Sequence, residues 1–293
     1  MERIDKVILG DNQFFGINHR SQEKAEEMLK RFGDLDNIFE VYDSAFDCGV
    51  KAVMLNSNDK AVAICDRFRA NKSKYGDIAW YPSIPYAYKY ANMVNELGIF
   101  PAISEVLFKG NTAGGVFGLI GKGANFVLTR DAMKLMEGLI DVEYKMFRDL
   151  NVKAFFLQNI VTDLILGYGV KEVFEHFAEY IRRKYNVIPG FVTLNMPYLK
   201  GKLEEWGIDE VVICSSINAA GFNMHPSKEV YERVIAANDP SKYQLMAMNV
   251  LASGSIGVQQ SFDYINIQNI QSVVFGASSK GHIKSSVEMI RIQ

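Results

Sequence analysis

Short runs of β-branched and aromatic apolar residues alternate along this chain with longer stretches whose apolar positions recur every three or four residues. The first pattern suits buried strands and the second amphipathic helices, so their alternation predicts parallel strands joined by crossover helices. Eight strands are predicted, at Lys6–Gly10, Lys51–Asn56, Asp77–Pro82, Lys153–Gln158, Val187–Leu194, Glu210–Ser215, Tyr243–Met248 and Gln271–Phe275. Eight parallel strands close a barrel, and the expected architecture is α/β, a single (β/α)8 TIM barrel over residues 1–293. A doubly wound open sheet is the competitor, but it carries a GxGxxG turn after its first strand, and Gly10-Asp11-Asn12-Gln13-Phe14-Phe15-Gly16 has different glycine spacing. No linker, repeat or charge block divides the chain, so one domain is expected.

Helix boundaries are marked by capping residues. Ser21 opens a helix running to Lys30 with Gly33 as its stop, and Thr129 caps Arg130–Leu150. In that long helix Met133, Met136, Ile140, Tyr144 and Phe147 form one apolar row, and Leu135, Leu139, Val142 and Met146 a second, which predicts a broad buried face. Further helices are predicted at Lys60–Arg69, Tyr86–Leu97, Val170–Lys184, Tyr198–Trp206, Ser227–Ala237 and His282–Arg291. The third and fourth strands are separated by about seventy residues, including a glycine-rich excursion around 99–127. Long loops of this kind serve as lids or as plain surface excursions.

Barrel chemistry sits at the C-terminal ends of the strands, and there the chain places amides and hydroxyls. Asn12, Gln13, Asn56, Gln158, Asn195 and Asn249 are the candidate substrate-binding residues. Amides orient and polarise but do not titrate, so acid/base work falls to Asp11, directly after the first strand, with Glu105 and Lys109 if the excursion folds over the mouth. Asp59, Lys60, His19 and His225 are lesser candidates, each with a ready structural role, and Cys214 reads first as a small buried hydrophobe. For Asp11 the competing role is capping the turn that follows. Ser253 and Gly254 after the seventh strand, and Gly276, Ser278, Ser279 and Lys280 after the eighth, form a small-residue anion or cofactor site at the start of the last helix.

Composition narrows the partners. With 48% hydrophobic and 23% charged residues and a net charge of -2, the chain is neither a basic nucleic-acid binder nor an acidic disordered tail. No signal peptide opens it, and no uncharged apolar run reaches a membrane span, so a cytoplasmic protein without nucleic-acid or membrane partners is expected, acting on a small-molecule ligand and compatible with a homo-oligomer. Three cysteines without CxxC and four histidines without HxH or HExxH argue against a disulfide scaffold or a metal centre, so no metal is expected.

Val273-Val274-Phe275-Gly276-Ala277-Ser278-Ser279-Lys280, with the helix after it, and Leu251-Ala252-Ser253-Gly254 resemble an aldo/keto reductase barrel, with weaker support from Phe147-Arg148-Asp149-Leu150. The resemblance implies reduction of carbonyls with NADPH, whose phosphate end would lie near the seventh and eighth strands, through a tetrad of Asp, Tyr, Lys and His. Here the position of the family His holds Gln158, that of the Asp holds Asn56 with no Tyr following, and that of the Lys holds Pro82 or Ser83. Neither Asn nor Gln replaces a tuned Tyr as proton donor. The leading expectation is therefore a barrel enzyme acting on a small phosphate-bearing metabolite, as lyase, isomerase or hydrolase. The alternatives are an NADPH-dependent reductase with a rearranged proton relay and a non-catalytic ligand-binding barrel.

Overall fold

The strands pair side by side, all parallel, in a computed structural model that describes residues 1–16, 22–85 and 130–292. They are β1 (Val7–Leu9), β2 (Ala52–Asn56), β3 (Ala79–Ile84), β4 (Asn151–Val152), β5 (Ala154–Leu157), β6 (Ile188–Thr193), β7 (Val211–Ser216), β8 (Tyr243–Met248) and β9 (Ser272–Phe275). Their order is β2-β1-β9-β8-β7-β6-β5-β3-β4, and a further pairing of β2 with β3 closes the sheet on itself. The fold is thus a closed parallel (β/α)8 barrel. Nine strands make eight staves because β4 and β5 are one stave split at Lys153, which still donates its N–H to Trp80 O and accepts from Ile188 N.

The period-two alternation of each strand sorts side chains into two cores. Ile8, Met54, Tyr81, Phe156, Val212, Cys214, Met246 and Val274 pack together inside the barrel. Their neighbours Leu9, Leu55, Trp80, Phe155, Ile213, Leu245 and Phe275 face outward into a second core shared with the helices. Burial pushes the Cys214 thiol up to about 12, so this cysteine is a filler of the interior and no nucleophile. At the N-terminal end the floor is sealed by polar pairs: Tyr81 Oη donates to Asp5 Oδ2 at 2.6 Å, and Gln244 donates to Glu2 O and accepts from Ile4 N.

The surrounding helices are α1 (Gln22–Arg31), α2 (Leu35–Asp47), α3 (Ala61–Ala70), α4 (Lys72–Tyr75), α5 (Arg130–Tyr144), α6 (Asn159–Tyr168), α7 (Lys171–Tyr185), α8 (Met196–Trp206), α9 (Lys228–Ala236), α10 (Val258–Asn266) and α11 (Lys280–Met289). Four of them, α2, the single-turn α4, α6 and α10, are not among the predicted helices. Asp34 caps α2 by accepting from Asp36 N at 2.9 Å, and the helix buries Ile38, Phe39, Val41, Tyr42 and Ala45. The long predicted helix is α5 followed by a 3-10 turn at Lys145–Phe147; Met136, Ile140 and Phe147 are buried as expected, but Val142 of the second row is exposed. The predicted helix Tyr86–Leu97, the caps Ser21 and Thr129, the glycine-rich excursion, and the candidates His19, Glu105 and Lys109 lie outside the described residues. Among the described residues no helix is long and apolar enough to cross a membrane.

Filling the barrel needs one small partner for a large ring. Gly190 stands beside Phe156 in the β5–β6 register, and a Cβ on Gly190 would come within 2.4 Å of that ring. Gly190→Ala is therefore expected to cost about 1–3 kcal/mol in urea unfolding through overpacking, with much of the loss recovered when Phe156→Leu is added. An equal loss in the Phe156→Leu background would mean that the ring is not what the glycine accommodates.

Candidate active site

At the mouth of the barrel three of the predicted residues meet. Asp11 follows β1 and begins the 3-10 turn Asn12–Phe15, yet its side chain makes no capping bond to that turn. It reaches across to β2 instead: Asn56 N donates to Asp11 Oδ2 at 2.7 Å, and Asn56 Nδ2 donates to Oδ1 at 2.9 Å and Oδ2 at 3.1 Å. Gln158, directly after β5, donates from Nε2 to Asn56 Oδ1 at 3.2 Å. The result is a chain of side chains, Asp11 to Asn56 to Gln158, spanning three staves.

The electrostatics of this chain are set by what lies behind it. Asp11 is 3% exposed and precedes a turn whose Phe14 packs edge-on against Phe32 and tilted against Tyr42. Burial raises the Asp11 pKa to about 6, against the opposing pull of the Asn56 hydrogen bonds. Tyr42 was not singled out in the sequence; its hydroxyl is buried without a hydrogen-bond partner among the described residues, and burial together with the Asp11 charge holds its pKa well above the ordinary tyrosine value. The signal for it was the three-and-four spacing of Ile38, Phe39, Val41, Tyr42 and Ala45.

The other candidates serve mainly the backbone around the mouth. Asn12 is exposed, whereas Gln13 is buried and donates from Nε2 to Gly10 O at 2.7 Å. Asn195 caps α8 by accepting from Tyr198 N, and Asn249, itself left-handed at φ 54, accepts from Ser253 N at 3.0 Å. Ser253 and Gly254 continue a left-handed turn at φ 56 and 78, and the Gly254 N–H is used by Leu251 O. On the other side of the mouth Gly276 is exposed, Ser278 is half-buried, and Ser279 caps α11 by accepting from His282 N. Lys280 donates to Asp47 Oδ2 at 2.8 Å in an exposed pair, so it does not join the Asp11 chain. Lys60 donates to Phe32 O at 2.6 Å and ties two backbone turns together. Among the described residues no group of His, Cys, Asp and Glu could hold a metal ion.

No protein-family model matches the sequence, and no curated protein is detectably similar to it. Solved structures do share the fold. A Pseudomonas aeruginosa protein assigned to the aldo-keto reductases superposes with a TM-score of 0.59 at 12% identity, over 98% of this chain and 90% of that one. An aldo-keto reductase from a Medee basin deep-sea metagenome library gives 0.57 at 9% identity, over 100% of this chain and 88% of its own. The holo form of an aldo-keto reductase from Bacillus halodurans gives 0.54 at 11% identity, over 98% and 87%. The resemblance read from the last strands therefore holds at the level of fold. It also corrects the leading functional expectation: the structural neighbours are named as reductases, not as lyases, isomerases or hydrolases of a phosphate-bearing metabolite.

The elevated Asp11 pKa has a stability signature. The folded protein keeps its proton to about pH 6 while the unfolded chain releases it near 3.8, so stability is greatest below pH 4 for this group and falls by about 3 kcal/mol as pH rises through 6. Carboxyl NMR is expected to show Asp11 titrating near pH 6, moving higher in Asn56→Ala, and Asp11→Asn is expected to remove the pH 4–6 slope from urea stability. A titration near 4 would contradict the buried environment.

Proposed function

We propose that this protein is an NADPH-dependent reductase of small carbonyl compounds whose proton relay is built on Asp11 in place of the tetrad. The observation that carries this reading is a buried carboxyl group, with its pKa raised to about 6, at the mouth of a barrel shaped like those of aldo-keto reductases. Reduction of a carbonyl adds one hydride to carbon and one proton to oxygen, and NADPH, when bound, would supply the hydride and be oxidised to NADP+. The remaining work is proton supply and orientation, and this chain has groups for both.

Asp11 holds a proton in an appreciable fraction of molecules near neutral pH, where an ordinary aspartate does not. Asn56 is fixed by its double hold on that carboxyl and accepts from Gln158, so the Asn56 amide is held beside the acid where a carbonyl oxygen would gain charge. For the cofactor the fit rests on the β9–α11 turn: an exposed Gly276, the half-buried Ser278, the cap Ser279 and Lys280 at the N-terminus of a ten-residue helix. Among the described residues Lys280 is held by an exposed pair with Asp47, an interaction weak enough for a phosphate to displace.

Titration of NADPH fluorescence is expected to show saturable binding that Ser278→Ala with Lys280→Ala weakens; absence of binding at high micromolar cofactor would remove the reductase reading. Across a panel of small aldehydes and ketones, Asp11→Asn is expected to lower kcat by about 10²–10⁴ while cofactor binding persists. The wild-type rate is expected to decline as pH rises through about 6, as the acid form of Asp11 is lost. Unchanged turnover in Asp11→Asn would take this residue out of the relay.

A further inference from the structure

Gln13 carries a polar atom that the described residues do not use. The residue is 6% exposed, its Nε2 donates to Gly10 O, and its Oε1 is buried with no hydrogen-bond partner among the described residues. A buried acceptor left unmatched is costly, and proteins tolerate few of them without a reason.

The neighbour of that oxygen is informative. Gly276 is an exposed residue at the end of β9, across the seam where Gly10 N donates to Phe275 O. Its backbone is not in the left-handed region, so conformation does not demand glycine there. A Cβ at this position would stand 2.9 Å from Gln13 Oε1 and within 4 Å would otherwise meet only Cδ of the same amide. The absence of a side chain at 276 thus leaves open the approach to the unmatched acceptor, and a small rotation about the last torsion of Gln13, which is broad for amides, turns Oε1 into that opening. From Gly276 the chain reaches Ser279 and Lys280, at the N-terminus of α11, within four residues.

We infer that Gln13 is a specificity-determining acceptor: through the gap at Gly276, its Oε1 takes a hydrogen bond from an uncharged N–H or O–H donor of the dinucleotide cofactor seated on the β9–α11 turn. This rests on the reductase reading for the identity of the cofactor. The acceptor matches a sugar hydroxyl or a carboxamide N–H and repels a carboxylate or phosphate oxygen, so it divides the ligand into a neutral donor end at Gln13 and an anionic end at the helix.

The test is a double-mutant cycle on cofactor affinity, without substrate. NADPH is titrated by fluorescence into the wild type, Gln13→Leu, Gly276→Ala and the double variant, with thermal unfolding recorded for each. Each single variant is expected to weaken binding about tenfold, the scale of one hydrogen bond to a neutral donor, and the Gly276→Ala effect is expected to vanish in the Gln13→Leu background because both remove the same contact. Unchanged affinity, or losses that multiply in the double variant, overturns the assignment. If Gln13→Leu does not fold, Gly276→Ala carries the test alone, with unchanged affinity as the contrary result. If the wild type binds no NADPH, the reductase reading fails separately, and the same proteins are titrated with ribose 5-phosphate by amide NMR shifts. Binding that depends on Gln13 then keeps the acceptor role, whereas no binding, or binding indifferent to Gln13, overturns it.

Discussion

Closing a parallel sheet on itself is the constraint from which the other features of this protein follow. Once β2 pairs with β3 there is no free edge, and every strand residue faces either the barrel interior or the helical layer. The interior has room for few side chains, so Tyr81 and Phe156 are accommodated by Ala52, Ala79, Ala154 and Gly190. The same alternation that buries Met54 brings Asn56, two residues on, to the mouth on the same side of the strand. Placement of the polar residues is thus a by-product of the packing below them.

The Asp11–Asn56 contact shows how such placement alters chemistry. An aspartate in a surface turn would keep its ordinary acidity. Here the carboxylate is buried and takes its side-chain donor from Asn56. Desolvation outweighs the hydrogen bonds, and burial displaces an acid toward neutrality.

Much of this was legible in the sequence because it depends on local pattern. All eight staves lie within a few residues of their predicted ranges and Ser227 opens its helix as expected, whereas Asn195 and Ser279, read as ligand-binding residues, cap the helices that follow them. The missed helices have identifiable causes. α6, Asn159–Tyr168, is rich in β-branched and leucine residues and follows its strand at once, so periodicity does not separate the two. α2 has a clear buried face but few of the strongest helix formers on its outer side. The site was legible as a set of amides and one acid at strand ends, and Asp11, Asn56 and Gln158 do come together. What the linear pattern does not contain is pairing across the barrel: that Asp11 turns to Asn56 instead of capping its own turn, that Lys280 reaches Asp47, or that Gln13 lies beneath Gly276. Those depend on the register of neighbouring strands and on helices distant in sequence.

The filled interior carries one more consequence. With Tyr81 and Phe156 packed across the barrel and the floor tied shut by Asp5 and Gln244, the axis offers no passage from one end to the other. The barrel is a plug and not a pore, so anything resting at its C-terminal end rests on the core itself, and a change in core volume at Met54 is felt two residues on at Asn56.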